Sequence, residues 1–243
     1  PPMIEKLQAI VLSKIKHSDK ANILIVYTRT HGRMAFIASA GGAKTQKIKN
    51  VLYQPLSIVE IICDINKTTE LQKIRQITPL YVYKDLYFNP LKNAVGVFVA
   101  DFLNHVLRES SPDINLWQYI VDSLKFLDIT NRGIANFHIA FLYSISAFLG
   151  VQPDVSAYSP SAIFDMRSGC YSLVLPPHNQ YIKGNDAMLP MLLDRMNFAN
   201  FHKYRFSRLD RNRILDLIIK YYDIHIPGVA SMKSPNILKI LFT

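Results

Sequence analysis

Between Gly133 and Pro153 the chain runs for 21 residues without an Asp, Glu, Lys or Arg. That is about the length a bilayer core asks of a spanning helix, so the stretch has to be buried in lipid or in protein. Its pattern decides between the two. Ile134, Phe137, His138, Phe141, Leu142, Ile145, Phe148 and Leu149 recur at helical spacing, with Asn136, Ser144 and Ser146 off that stripe. Lipid on every side gives no reason for a stripe, whereas a protein core does. The segment is expected to be the central core helix of a globular chain, and no membrane is expected as a partner. Asn131 is placed to cap it, and Gly150 with Pro153 to stop it. His138, on the apolar stripe, reads as a core histidine and not as a ligand.

The surrounding sequence supports that core. With 243 residues, 49% hydrophobic and 19% charged, the chain has the apolar content of a globular protein. Pro90 opens a helix through Val95, Phe98, Phe102 and Val106, and Asp113 caps another through Leu116, Trp117, Ile120 and Leu124. Ser207 caps a long helix reaching Ile224, and Pro235 opens a terminal one. Residues 154–190 are rich in Pro, Ser and Tyr and read as an irregular excursion, with a turn at Ser168-Gly169.

Residues 3–80 follow a different rule, alternation. Leu7 to Lys16 is a first strand and His17 to Lys20 a polar turn. Asn22 to Thr28 and Met34 to Ser39 form a hairpin about Thr28-Arg-Thr-His-Gly-Arg33. Lys44 to Leu52 is a short helix with its lysines outward and Ile48, Val51 and Leu52 inward. Leu56 to Asp64 and Leu71 to Thr78 complete five strands, an OB-fold layout with its helix between the third and fourth. The expected fold class is therefore α+β. A five-stranded OB-fold β-barrel occupies residues 1–80, and an all-α domain with the excursion occupies 81–243. The linker lies near Pro79 to Pro90.

Charge falls unevenly on these parts. The net charge is +10. Residues 1–80 hold 12 Lys and Arg against 5 Asp and Glu, and the remainder holds 16 against 13. An OB barrel carrying most of a positive excess suits a polyanion. The candidate DNA-binding residues are Arg29, Arg33, Lys44, Lys47 and Lys49, with Tyr27 and Phe36 as rings for base stacking. A second cluster, Lys203, Arg205, Arg208, Arg211 and Arg213, gathers at the start of the long helix. Cations there oppose the helix dipole, which hints at an anionic partner, DNA or an acidic peptide. The plainer reading of both clusters is a solvated charged surface with local ion pairs.

Catalytic and metal chemistry find little support. Gly41-Gly-Ala-Lys-Thr45 fails the phosphate-loop pattern twice, with Ala38 and Ala43 where glycines are required. The seven histidines show no metal spacing, and Cys63 and Cys170 form no C-x-x-C. Asp64 and Glu70 flank a loop and read as solvated turn residues. No catalytic residue, metal or cofactor is expected. A reducing cytosol is the simpler setting for two unpaired cysteines. Leu7 to Leu12 is too short for a secretory signal, and Pro1-Pro2 ahead of Met3 reads as an appended remnant.

Three stretches resemble the bacterial recombination mediator RecO family, particularly its Bacteroidetes-like members. The first is Leu7-Gln-Ala-Ile-Val-Leu12 with Leu24-Ile-Val-Tyr-Thr-Arg29 and His31-Gly-Arg33. The second is Arg132-Gly-Ile-Ala-Asn-Phe-His138 with Phe148-Leu-Gly150. The third runs from Tyr204-Arg-Phe-Ser-Arg208 to Asn212-Arg213. The resemblance implies an N-terminal OB-fold, a helical C-terminal domain, and non-enzymatic work in recombinational DNA repair at the cytoplasmic nucleoid. It implies binding of single- and double-stranded DNA and annealing of complementary strands. The implied protein partners are RecR, the acidic C-terminal tail of single-strand-binding protein and, indirectly, RecA. By position, Arg29, Arg33, Lys44 and Lys47 would belong to the DNA surface, and Arg205 and Arg208 would receive DNA or the acidic tail. Many relatives carry a four-cysteine zinc site in the segment corresponding to about 164–190. Here only Cys170 remains, so hydrophobic packing is expected to hold that segment. Two rivals remain: an adaptor whose basic patches bind acidic peptides without DNA, and a metal-dependent nuclease, which lacks a carboxylate or His cluster.

Overall fold

The computed structural model describes residues 3–109 and 111–242, so the reading of Pro1-Pro2 lies outside the described residues. Chain contacts divide it into two compact units, Pro1–Ile129 and Thr130–Thr243.

The first unit begins with a closed barrel. Its strands are β1 (Met3–Lys16), β2 (Ala21–Thr28), β3 (Gly32–Ser39), β4 (Ile58–Ile65) and β5 (Leu71–Tyr81), in the order β1-β2-β3-β5-β4. Helix α1 (Gln46–Leu52) lies between β3 and β4, as the OB layout requires. β1 closes the barrel because it is long. Its first half pairs with β4, from Met3↔Ile65 to Ile10↔Ile58, and its second half with β2, from Ala9↔Thr28 to Lys16↔Asn22. A bulge between Val11 and Ser13 lets one strand turn from one partner to the other. The inward positions Leu7, Ala9, Val11, Leu24, Val26, Phe36, Val59, Ile61 and Cys63 form a dry core. The β2–β3 turn is tied by Thr28 Oγ1, which donates to Gly32 O at 2.8 Å, and Gly32 supplies the φ of 68° that closes it.

This unit does not end with the barrel. Helices α2 (Pro90–Val106) and α3 (Ile114–Ile129) belong to it. Pro90 opens α2 as expected, and Asn89 Oδ1 ahead of it accepts from Leu91 N and Lys92 N; the expected cap Asp113 is present at α3, its Oδ1 accepting from Leu116 N. The segment joining barrel to helices is fastened by Asp128. Its carboxylate accepts from Tyr81 Oη, Lys84 N, Asp85 N and Leu86 N at 2.8–3.0 Å. Lys92, 1% exposed, donates to Asp128 O and pairs with Asp85, both at 2.7 Å. A segment rich in Pro and Tyr, which reads as a linker in the sequence, is thus pinned to two helices.

The second unit is built on α4 (Ile134–Phe148), packed by α6 (Arg208–His225) and α5 (Leu189–Asp194), with α7 (Pro235–Leu241) on α6. No described helix is long and apolar enough to cross a membrane. The off-stripe reading of two α4 residues needs correction. Asn136 and Ser146 are buried at 5% and 2%, because the helix is covered on nearly every side. Asn131 does not cap α4; Gly133 does, at φ 68° and without a side-chain bond. The helix starts there because the chain comes too close for anything larger. A Cβ on Gly133 would lie 2.7 Å from His202 Cα.

The 154–190 excursion, expected without strands, carries three short ones in a small sheet. They are β6 (Ile163–Asp165), β7 (Cys170–Ser172) and β8 (Tyr181–Ile182), in the order β7-β6-β8. Its hairpin turns at Ser168-Gly169, where Gly169 has φ 69°. Ala162, Phe164, Met166, Tyr171 and Ile182 pack on Tyr221 of α6 beneath it.

Candidate nucleic-acid interface

The barrel's cations fall into two groups by what holds them. Lys6 pairs with Glu60, Lys16 with Asp19, and Arg75 with Asp64. Arg33 donates through Nη2 to Asn104 Oδ1 at 2.8 Å and through Nη1 to Asn104 O at 3.2 Å. Asn104 sits in the last turn of α2, whose carbonyls lack helical partners, so Arg33 acts as a C-terminal cap. Burial first, and the charge of Arg108 second, lower its pKa. Arg29 is half-buried, its Nη1 reaching Gln8 Oε1 at 3.4 Å. The hairpin tip that reads as a phosphate grip is therefore folded against its own unit.

Lys14, Lys20, Lys44, Lys47, Lys67 and Lys73 form the other group. All are exposed, and none has an ion pair among the described residues. Several converge on one end of the barrel. Lys20 O accepts from Ala40 N at 2.9 Å, which joins the β1–β2 turn to the exit of β3. Lys73 stands in register with Ile37 two residues before that exit. Lys44 and Lys47 follow on the approach to α1 and on its surface, with Lys49 half-buried behind them. The sequence reading passed over Lys14, Lys20, Lys67, Lys73 and Arg75. For β5 a signal was available, since Lys73 and Arg75 occupy alternate positions of a strand whose Gln72 is buried.

Both aromatic candidates are corrected. Phe36 is 0% exposed inside the barrel core. Tyr27, also 0% exposed, points to the other face but is covered: its hydroxyl donates to Ser111 O, and its carbonyl accepts from Trp117 Nε1 at 3.2 Å. Neither ring can stack on a base. The inward assignment of Ile48 and Val51 is corrected as well. They are 65% and 54% exposed, because α1 has two turns and rests on the barrel through Leu52 and Tyr53.

At α6 the basic cluster has structural employment. Ser207 and Asp210 form a capping box, which answers the dipole at the helix start. Arg208 Nε donates to Lys239 O at 3.1 Å. Arg211 donates to Phe206 O at 2.7 Å and to Phe242 O at 3.2 Å. Both arginines thus reach carbonyls at the C-terminal end of α7, where cations are favoured. Arg213 pairs with Asp186 at 3.1 Å. The inference from dipole cost to an anionic partner loses its ground for these three. Lys203 and Arg205 stay exposed and unpaired among the described residues.

His138 is 2% exposed and stacks on Phe242 at 6.2 Å. Burial, aided by the charge of Arg211, pushes its pKa down to about 3, so it is a neutral core residue at ordinary pH. Among the described residues no group of three His, Cys, Asp or Glu is gathered to hold a metal ion.

Comparison with known proteins agrees with the architecture. The family described as Recombination protein O N terminal matches residues 3–83, and that described as Recombination protein O C terminal matches residues 87–235. The chain belongs to the RecO family. The DNA repair protein RecO of Phocaeicola vulgatus is 36% identical over 241 residues, covering 99% of this chain and all of the relative. That of Bacteroides fragilis is 34% identical over the same span, and that of Porphyromonas gingivalis 29% identical over 245 residues. None of these names carries an enzyme class. The RecO stretches that suggested the kinship are largely architectural. In Arg132-Gly-Ile-Ala-Asn-Phe-His138, Gly133 allows the approach of His202, and Asn136 Nδ2 donates to Phe201 O and Tyr204 O. The motif docks the 201–204 turn.

Proposed function

We propose that this chain is a non-enzymatic recombination mediator that binds single- and double-stranded DNA through its barrel and anneals complementary strands in recombinational repair. One observation carries the reading: an OB barrel of the RecO family presents exposed, unpaired lysines at one end. Annealing requires that the repulsion between two phosphate backbones be neutralised while base edges stay free to pair. Lysines on flexible stems touch phosphates without reading sequence. Nothing in that task needs a nucleophile or a metal. The relatives are named DNA repair proteins, and the cytoplasmic nucleoid would be the place of action.

The same reading includes delivery of recombinase, through RecR and RecA, to DNA coated by single-strand-binding protein. Within this reading that protein's acidic tail is assigned to the second unit. Arg208 joins the first turn of α6 to the last of α7; Leu209 (80% exposed) follows Arg208, Ile240 (68%) follows Lys239, and exposed Arg205 stands on the approach to α6. Apolar surface with a cationic rim suits an acidic peptide that also carries apolar side chains.

The experiment is fluorescence anisotropy of a labelled oligonucleotide across a salt series, with the Lys44→Glu/Lys47→Glu variant alongside. Wild type is expected to show a steep negative log–log slope. On single strands the variant slope should be shallower by about 0.7 for each phosphate it no longer neutralises. Weak or salt-insensitive DNA binding, with tight binding of an acidic peptide, would replace this reading with the adaptor.

A further inference from the structure

A cleft of about 310 Å³ opens between α1 and β5. Leu52, Ile74 and Ile77 form its aliphatic floor, Ile48 one wall, and Lys49 and Arg75 line it. The cleft exists because α1 is anchored at its end: Leu52 is its one buried residue, and Ile48, a turn earlier, stands 65% exposed over open space. Arg75 is held in place, its Nε and Nη2 each 2.7 Å from the carboxylate of Asp64. Such a pairing fixes the guanidinium plane, and fixed guanidinium planes are surfaces on which bases stack. Asp64 is the acid beside the cleft, and it is already engaged. Lys44 precedes α1, Lys47 and Lys49 lie on it, and Lys73 is two residues before Arg75 on β5.

We infer that this cleft receives one unpaired base of single-stranded nucleic acid, with the flanking phosphates on the α1 lysines. This deepens the proposed DNA binding and rests on it. The size fits: ligand pockets begin near roughly 300 Å³, so there is room for one small planar group and not for a row of them. The lining fits also. Of its polar members, Ser39 Oγ accepts from Gly41 N, Thr45 Oγ1 donates to Gly42 O and Tyr53 Oη donates to Ser39 O, which leaves Gln76 to meet a base edge, so recognition rests chiefly on burial and stacking. Bases in a duplex are stacked inward and cannot enter. The cleft therefore gives the barrel a preference for single strands that lysines alone would not provide. It also supplies the exposed apolar surface that Tyr27 and Phe36, both buried, do not.

The test uses the full chain and four probes of equal length: oligo-dT, the same strand with abasic sites at alternate positions, a duplex, and an acidic peptide with apolar residues. The variant is Ile48→Asn, which removes the apolar wall without changing charge at a residue largely in solvent; a thermal melt confirms that it folds. Wild type should bind oligo-dT roughly tenfold more tightly than the abasic strand. In Ile48→Asn that ratio should fall toward one, with duplex affinity within about twofold of wild type. If wild type binds the abasic strand as tightly as oligo-dT in a salt-dependent manner, DNA binding stands and the base pocket falls. Equal weakening of single strand and duplex by Ile48→Asn would overturn it too, as would loss of peptide binding alone. Absence of DNA binding altogether would remove both readings.

Discussion

The two basic regions of this chain look alike in sequence and differ in what their charges do. Around α1 the cations are lysines without ion pairs among the described residues, with Lys44 and Lys47 exposed and Lys49 half-buried. At the start of α6 four of the five candidates are arginines, and three of those are spent on internal contacts. Arg33 at the hairpin behaves as the α6 arginines do, capping α2. The difference follows from chemistry. A guanidinium has a planar fork of donors and sheds water readily, so it crosslinks backbone carbonyls at helix ends, whereas an ammonium on a flexible stem stays hydrated and available. Among the described basic residues here, arginine mostly bonds within the fold, whereas most lysines carry no ion pair. Lys6, Lys16, Lys92 and Lys239 do have ion pairs, and of these Lys92 is the buried one.

The largest effect should come from the most enclosed charge network. Asp128→Ala removes the acceptor of four hydrogen bonds and leaves Lys84 N, Asp85 N, Leu86 N and the Tyr81 hydroxyl without it. A loss of about 3 kcal/mol is expected, read by chemical denaturation. Burial raises the Asp128 pKa, but the bonds from Lys84, Asp85 and Leu86 N–H and from Tyr81 outweigh it, and the net shift is downward. A depressed carboxylate contributes stability above its unfolded value, near 3.8, that is lost as pH falls through the lower folded value. Wild type should therefore weaken below about pH 4, and Asp128→Asn should flatten that limb. A flat wild-type profile there would mean that the carboxylate is not held as described.

The α6 region offers the next test. His138 is neutral in the fold and protonates freely only when unfolded, so the unfolded state binds more protons between pH 3 and 6.5. Stability should fall as pH drops through that window, by about 2 kcal/mol between pH 6.5 and 5. His138→Phe should remove most of this dependence, as followed by thermal melts in a pH series. Arg211→Met, which releases Phe206 O and Phe242 O, should cost about 2 kcal/mol and leave the salt slope of DNA binding unchanged. A changed slope would mark Arg211 as a ligand contact instead of a clamp.

The sequence revealed the barrel well, because its alternation, hairpin and helix-cap signals are local. The five strands lie within a few residues of their expected places, and Ser207 and Asp113 cap as expected because short polar side chains ahead of apolar runs have little else to do. What stayed hidden was non-local. Tyr27 sits on the outward face of β2, and its partners, Ser111 and, in α3, Trp117, lie 84 and 90 residues on. Arg33 and Arg208 read as free because their acceptors, Asn104 and Lys239, are 71 and 31 residues away. Ile48 reads as core because α1 is amphipathic, yet two turns cannot carry it to the barrel wall. In each case local pattern described the residue's own element and not what packs upon it.

A matched pair gives the smallest effects and the sharpest contrast. Lys47→Gln and Arg208→Gln each remove one exposed positive charge next to a helix. If the charges were equivalent, both would lower DNA affinity alike and neither would touch stability. The contacts say otherwise. Lys47 has no ion pair to lose, so its variant should stay within about 0.5 kcal/mol of wild type in denaturation while the salt slope becomes shallower by about 0.7. Arg208 holds Lys239 O at the end of α7, so its variant should lose about 1 kcal/mol and keep the slope. Denaturation midpoints and anisotropy on the two proteins decide it. The opposite pairing, a stable Arg208→Gln with a shallow slope, would move the DNA path to the second unit and return the α6 arginines to the interface.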